Sequence, residues 1–174
     1  GSDLDKSVDK FLLVNSLMLD STFIKKISGD SNVVLVIETE SSCGMQDQRR
    51  IFMRLMNNSC LAPVIVKRSY ATRSYESLQL YSSTDIGGLF IDGLGDGIFI
   101  EQSLDCGQDK INSLSFGVLQ AARARISKTE YISCPSCGRT LFDLQETTAR
   151  IRARTDHLKG IKIGVMGCIV NGPG

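Results

Sequence analysis

The chain has 174 residues, of which 42% are hydrophobic and 22% charged, and its formal net charge is +1 at pH 7. This composition is ordinary for a soluble globular protein and excludes the strong positive field that draws proteins to nucleic acid or anionic membranes. No apolar run approaches the roughly 18 to 20 residues that span a bilayer, and no signal peptide is predicted. Gly1 and Ser2 are interpreted as a remnant of cloning.

Short β-branched segments alternate with helical patterns over the first hundred residues. The predicted strands are residues 11–14, 33–38, 64–69 and 97–101. The segment QDQRRIFMRLMNN is predicted to be a helix, because its apolar residues Ile51, Phe52, Leu55 and Met56 recur at helical spacing. Residues 77–90 fit either a helix or a strand, and their second half is interpreted as helix. Strands that alternate with helices predict β/α units around a parallel sheet, either open or barrel-like.

Two segments near the middle of the chain interrupt this alternation of strands and helices. DGLGDG, residues 92–97, departs from the dinucleotide-binding fingerprint in its third glycine and is followed by a strand, so we predict a turn. Residues 103–113 are polar and unpatterned, which indicates a junction between domains. The predicted domains are therefore residues 3–105 and 106–174.

The second predicted domain begins with a helix, SFGVLQAARARI, and continues as strand, C-x-x-C loop, helix, strand and a third cysteine. The strands are TEYIS and IKIGVM. The helix between them is predicted to begin near Thr140, with Asp143 in capping-box position. Its predicted buried stripe comprises Leu141, Leu144, Thr148, Ile151 and Leu158, and Gly160 marks its end.

Cys134, Cys137 and Cys168 form a C-x2-C-x30-C pattern on this unit. A βαβ crossover makes its two strands parallel, so both cysteine segments are expected at the same edge of the sheet, where α/β folds usually bind ligands. The helix N-terminus and Arg139 would favour thiolates over thiols there. Three thiolates from one supersecondary unit are typical of a metal or iron–sulfur site.

The cysteine spacing is compatible with more than one kind of site. Six cysteines without a secretory signal favour metal or redox chemistry over disulfides, and Cys43, Cys60 and Cys106 are interpreted as small buried apolar residues. CPSCG also fits a zinc knuckle, but a structural zinc site needs four ligands, and His157 would lie about 25 Å away along the helix. An iron–sulfur site, a zinc-knuckle binding module without catalysis and redox cysteines are all compatible with the spacing.

Two long motifs resemble a known family. EYISCPSCGRTLFDLQ and GVMGCIVNGPG, together with LQAARARISKTE upstream, are similar to the iron–sulfur domain of the 4-hydroxy-3-methylbut-2-enyl diphosphate synthases of isoprenoid (terpenoid) biosynthesis. The resemblance covers roughly residues 112–174. Residues 3–105 resemble, more weakly, the inserted domain of the long, three-domain form of this enzyme.

The resemblance implies a 4Fe-4S cluster held by Cys134, Cys137 and Cys168, with a glutamate directly after NGPG, one residue beyond Gly174, as fourth ligand. It implies an oxidoreductase that reductively opens and dehydrates 2-C-methyl-D-erythritol 2,4-cyclodiphosphate with two electrons from ferredoxin or flavodoxin. Asn171 matches a catalytic, substrate-contacting position. Arg139 is assigned to supporting the cluster or the diphosphate.

The same resemblance implies an α/β fold in two parts: an incomplete, barrel-like β/α segment, then an α+β iron–sulfur domain of the sulfite-reductase-like type, truncated at its end. The family's catalytic barrel does not match any part of this sequence, so the 174 residues alone are expected to be inactive. We expect no nucleic acid or membrane partner, a homodimer for the full-length enzyme, and the cytoplasm of a bacterium rather than the plastid stroma.

Overall fold

The structure is a computed structural model that describes residues 8–135, 138–140, 142–168 and 170. Internal contacts divide the chain into two compact units, the first ending at Ala124 and the second beginning at Arg125. Each unit is built around a parallel sheet. The predicted α/β class is therefore confirmed.

Ten elements make up the first unit as described. In chain order they are β1 Lys10–Val14, α1 Ser21–Ser28, β2 Val33–Glu38, α2 Gly44–Asn57, β3 Val64–Tyr70, α3 Tyr75–Ser82, a π-helical turn Ser83–Gly87, α4 Gly88–Ile91, β4 Gly97–Gln102 and α5 Gln108–Ala121. The four strands are all parallel and lie side by side in the order β1-β2-β3-β4. All four predicted strands are present.

One face of this sheet carries the core of the first unit. In β2 the side chains alternate between buried and half-buried, and Leu35 and Ile37 are completely inaccessible to solvent. The helices complete the core with residues such as Ile24 of α1 and Ile51 of α2. An alternating β-branched strand is therefore stable here because its inward residues meet the apolar stripes of amphipathic helices.

The opposite face of the sheet is more open. Phe11, Leu13 and Phe99 on this face are 64%, 55% and 52% exposed. Lys67, paired in register with Phe99, bridges Glu38 at 2.7 Å and Glu101 at 3.2 Å. These hydrogen bonds, that to Glu38 foremost, raise the pKa of Lys67, whereas hydrogen bonds from Ser69 and Lys67 lower the pKa of Glu101.

Residues 77–90, left ambiguous by the sequence, are helical throughout and contain the π-helical turn. Asp85 of this turn accepts a hydrogen bond of 3.0 Å from the buried guanidinium of Arg68, which also donates to the backbone carbonyls of Thr39 and Ser41. A Cβ on Gly44 would lie 2.2 Å from Cζ of Arg68, so only glycine fits at the start of α2. The network ties the ends of β2 and β3 to the helical layer.

Two features of the first unit differ from expectation. Helix α1 was not predicted, because only Phe23, Ile24 and Ile27 mark its apolar side. The prediction that residues 103–113 form an unpatterned junction is wrong from Gln108 onward. Helix α5 begins at Gln108 and buries Ile111 in the core of the first unit. The division by contacts accordingly lies after Ala124 rather than after residue 105.

The second unit contains β5 Glu130–Ser133, α6 Leu144–Thr155 and β6 Lys162–Val165. The two strands pair in parallel, so the predicted βαβ unit is present. The predicted helix start is wrong: Asp143 is the N-cap of α6 and accepts a 2.9 Å hydrogen bond from the backbone N–H of Glu146. Aspartate is preferred over threonine as an N-cap, so the helix begins after Asp143 rather than near Thr140.

The buried stripe of α6 is narrower than predicted. Leu144 is buried and Thr148 and Ile151 are half-buried, while Leu158 lies beyond the helix and is 39% exposed. Leu141 lies outside the described residues. Within the described part of the chain, no helix is long and apolar enough to cross a bilayer.

Candidate metal centre

The two described cysteines of the predicted site follow β5 and β6. Ser133 and Val165 are the last paired residues of these strands, and Cys134 comes directly after the first of them. The backbone N–H of Cys134 donates to the carbonyl of Val165 at 3.4 Å, which continues the ladder one residue past the strand. Cys168 lies three residues beyond β6, at the same carboxyl edge of the sheet. Both thiols are half-buried.

The other predicted site residues are distributed around this edge. Cys137 and Asn171 lie outside the described residues, and so their placement stays a prediction. Arg139 is exposed in a turn between β5 and α6. Among the residues that the structure describes, no group of three or more His, Cys, Asp or Glu side chains is close enough to hold a metal.

A cleft of about 740 Å³ runs from the Cys134 loop along one side of α6. It is lined by Ser133, Cys134, Pro135, Leu144, Gln145, Thr148, Ala149, Arg152, Ala153 and Asp156. Cys134 therefore has open space beside it and is not enclosed in a packed core. A thiol in this position can be reached by a ligand or cofactor, as metal-binding and redox cysteines require.

The helix N-terminus contributes less to the site than the sequence suggested. Helix α6 begins at Leu144, and the Asp143 carboxylate caps its first turn. Leu144 still lines the cleft together with Cys134. The partial positive charge of the helix therefore lies near the thiol, but an acidic cap offsets part of it.

Polar contacts hold α6 against β5. The Tyr131 and Thr155 hydroxyls are 2.8 Å apart, and the Thr129 hydroxyl donates to the carbonyl of Leu158. The guanidinium of Arg152 stacks on the Tyr131 ring, 4.8 Å from its centroid. These residues were not predicted from the sequence, although a tyrosine in a strand beside an arginine-rich helix was a usable signal. Together they fix the helix that forms one wall of the cleft.

The remaining cysteines belong to the first unit. Cys60 is buried and Cys106 is half-buried, as expected of small apolar residues. Cys43 is exposed at the start of α2, so its interpretation as a buried residue is wrong. These three thiols lie in separate loops, and of the three only Cys43 is exposed, which suits it for comparison with the predicted site.

Comparison with known proteins gives matches along most of the chain. Residues 130–174 match the family model of the GcpE protein C-terminal domain. A 4-hydroxy-3-methylbut-2-en-1-yl diphosphate synthase (flavodoxin) of Parabacteroides distasonis is 46% identical over 165 residues, which is 95% of this chain and 27% of the relative. The synthase of the same name from Porphyromonas gingivalis is 47% identical over 151 residues, 87% of this chain and 26% of the relative.

A third synthase of this name, from Leptospira interrogans, is 58% identical over 112 residues, covering 64% of this chain and 17% of the relative. The chain thus spans at most about a quarter of the length of these curated relatives. The similarity includes the first unit as well as the second, since 95% of the chain is covered by the Parabacteroides protein.

Proposed function

We propose that this chain, which carries a GcpE protein C-terminal domain, supplies the iron–sulfur part of a longer 4-hydroxy-3-methylbut-2-en-1-yl diphosphate synthase. The reaction opens 2-C-methyl-D-erythritol 2,4-cyclodiphosphate to 4-hydroxy-3-methylbut-2-enyl diphosphate, taking up two electrons and two protons and losing one oxygen as water. The observation that carries the proposal is the parallel pairing of β5 and β6, which brings Cys134 and Cys168 to one sheet edge.

Cys134, Cys137 and Cys168 are the proposed ligands of a 4Fe-4S cluster. The donor set fits such a group, because Cys134 and Cys168 are both half-buried and Cys134 lines an open cleft, where a thiol is accessible yet partly shielded from water. When bound, the cluster would supply electrons and a Lewis-acidic iron to the substrate. The fourth ligand is proposed to be a glutamate of the longer protein, in keeping with the family resemblance.

The chain's own polar residues have proposed roles toward the substrate. Arg139, exposed beside the cysteine loop, is proposed to attract the diphosphate, for which a guanidinium provides a planar set of donors. Asn171 is proposed to contact the substrate through its amide. The relatives span far more sequence than this chain, so the remaining diphosphate ligands and the complete activity are assigned to the longer protein.

The first unit is proposed to be an inserted β/α domain with barrel-like character. Its strands follow one another in simple order, as in a barrel, and the sheet face opposite the core exposes Phe11, Leu13 and Phe99. The second unit is proposed to be the start of a sulfite-reductase-like cluster domain. Helix α5 packs in the core of the first unit.

The proposed partners follow from the chemistry and from the names of the relatives. Flavodoxin is the proposed electron donor, because the curated relatives carry that word in their names. The relatives are bacterial, which favours the cytoplasm of a bacterium over a plastid. A homodimer is proposed for the longer protein.

The test is metal analysis of the longer protein and its cysteine variants. Cys134→Ser, Cys137→Ser and Cys168→Ser should each lower bound iron and sulfide and abolish turnover with dithionite and a viologen. Cys43→Ser, which alters an exposed thiol of the first unit, is the matched control and should retain both. Stoichiometric zinc, without visible absorption or turnover, would instead identify the zinc-knuckle module.

A further inference from the structure

The two units of the chain carry opposite net charge. Residues 125–174 contain eight Lys and Arg against four Asp and Glu, a net charge of +4. Residues 1–124 contain twelve Lys and Arg against fifteen Asp and Glu, a net charge of −3. The near-zero total therefore conceals a basic second unit, which would steer an acidic partner toward the cysteine-bearing sheet.

Three arginines of α6 account for much of this positive charge. Arg150 and Arg154 are four residues apart, so they project from the same side of the helix, and both are exposed. Within the described part of the chain, neither one forms an ion pair or a side-chain hydrogen bond. Glu146 precedes Arg150 by one turn on this side and is the acidic group nearest to it along the helix.

Arg152 lies on a different flank of α6, because side chains two positions apart on a helix differ by about 200° in direction. Its guanidinium stacks on Tyr131, and its side chain lines the same cleft as Cys134. Arg150 and Arg154, called here the α6 arginine surface, lie on the other flank of the helix, and neither lines the cleft. A carrier docked on this surface would be separated from the cleft by the width of one helix, about 10 to 12 Å.

The stability of helix α6 accounts for two of its three arginines but not for the third. Cations in a last helical turn complement the helix dipole, which explains Arg152 and Arg154. Arg150 lies in the middle of α6, outside that turn, and in the described structure it makes no ion pair with Glu146. An uncompensated arginine in this position costs little and gains little for folding, so it is available to a partner.

We propose that the α6 arginine surface is the docking site of the flavodoxin that reduces this protein, an inference that rests on the function proposed above. A one-electron carrier must bind transiently and leave quickly. Rim charges meet that need because they raise the association rate more than they strengthen the complex. The occupant is therefore an acidic flavin-carrying protein.

Binding to the longer protein, in which the metal centre and the fold of the second unit are complete, tests this proposal without requiring turnover. Oxidised flavodoxin is titrated with this longer protein at ionic strengths of about 0.05 M and about 0.5 M, and the fluorescence anisotropy of its flavin is followed. We expect saturable binding at low salt that weakens strongly at high salt. The double variant Arg150→Glu/Arg154→Glu should weaken low-salt binding at least about tenfold.

A matched control separates local from overall charge. Lys25→Glu/Lys26→Glu alters two exposed cations of α1 and changes the net charge by the same amount, so binding should be nearly unchanged. Arg150→Lys/Arg154→Lys should retain most of the affinity, because steering depends on charge and not on the guanidinium. Equal weakening by the α1 control, or no flavodoxin binding by the unaltered longer protein, would overturn the proposal.

Kinetics of the longer protein distinguish this inference from the proposed function. In the Arg150→Glu/Arg154→Glu variant, KM for flavodoxin should rise at least about tenfold while turnover with dithionite and a viologen stays unchanged. An unchanged KM for flavodoxin would refute the docking site and leave the enzyme assignment intact. Absence of viologen-driven turnover in the unaltered longer protein would refute the enzyme assignment, and the binding titration would still decide the docking site.

Discussion

The two units obtain their stability from different sources. In the first unit, more than twenty buried apolar side chains form one continuous cluster, with Leu35 and Ile37 fully inaccessible. Among the described residues of the second unit, the buried apolar side chains are Leu144 and Val165. Hydrogen bonds and the Arg152–Tyr131 stack provide most of the remaining contacts there.

This difference indicates what the second unit needs. A short βαβ unit buries too little apolar surface to offset the conformational entropy of folding by itself. Small domains of this kind are usually stabilised by a metal, a disulfide or a partner surface. The candidate metal centre at the carboxyl edge of β5 and β6 is therefore expected to stabilise the second unit as well as to perform chemistry.

The largest expected effect is that of removing the metal centre. In the longer protein, Cys168→Ser or chelation should abolish the slow hydrogen exchange of β5, α6 and β6, because cluster binding and folding of this unit are coupled. The strands of the first unit should keep their protection. Hydrogen exchange with mass spectrometry, read element by element, measures both. Unchanged protection in the second unit would show that it is stable without metal.

A large-to-small substitution should separate the two cores. Leu35→Ala is expected to lower the free energy of unfolding of the first unit by about 3 kcal/mol, since it leaves a cavity in a closed core. Leu144→Ala should cost less, because its surroundings open onto the cleft and can relax. Urea titration followed by hydrogen exchange compares the two. Equal losses would mean that the second core is as tightly packed as the first.

A single hydroxyl tests the polar contacts of the second unit. Tyr131→Phe removes the contact with Thr155 and should cost about 1 kcal/mol, with the loss confined to β5 and α6. The stack with Arg152 persists in this variant, because phenylalanine keeps the ring. Tyr75→Phe in the first unit, where the hydroxyl donates to a carbonyl at the longer distance of 3.4 Å, is the control and should cost less.

The smallest effect concerns pH and the open face of the first sheet. The pKa of Glu101 is lowered from its ordinary value of 4.5 by Ser69 and Lys67, so the folded state binds this proton less readily than the unfolded state does. Its contribution to stability is thus present above pH 4.5 and is lost as the pH falls through the lowered pKa. Glu101→Gln should flatten the acid side of the stability profile of the first unit. An identical profile would show that this ion pair is screened by solvent.

The strands could be predicted from the sequence because their signal is local. β2, VVLVIE, alternates with period two and has the predicted bounds. Helix α2 was likewise evident from its apolar spacing. Such patterns are set by which side of an element meets the core, so a single sequence carries them.

The predictions that were wrong concern features set by contacts distant in sequence or by ambiguous capping residues. Gln108–Ser113 look polar, yet they begin α5, because Ile111 and Leu114 find a core elsewhere in the first unit. Asp143 was recognised as a capping residue but at the wrong position, since a capping box and an N-cap share residue types three positions apart. The common edge of Cys134 and Cys168 follows from βαβ topology and could be predicted, whereas the stack of Arg152 on Tyr131 requires tertiary geometry.

The π-helical turn at Ser83–Gly87 has a consequence for how this chain tolerates length changes. A π turn holds one residue more than an α turn, and each residue rotates a helix by about 100°. Deleting Thr84 should restore an uninterrupted α-helix across this stretch and rotate Asp85 away from Arg68, leaving a buried guanidinium without its carboxylate. Sequences that lack this one residue are therefore expected to lack the arginine as well, so the two should be gained or lost together.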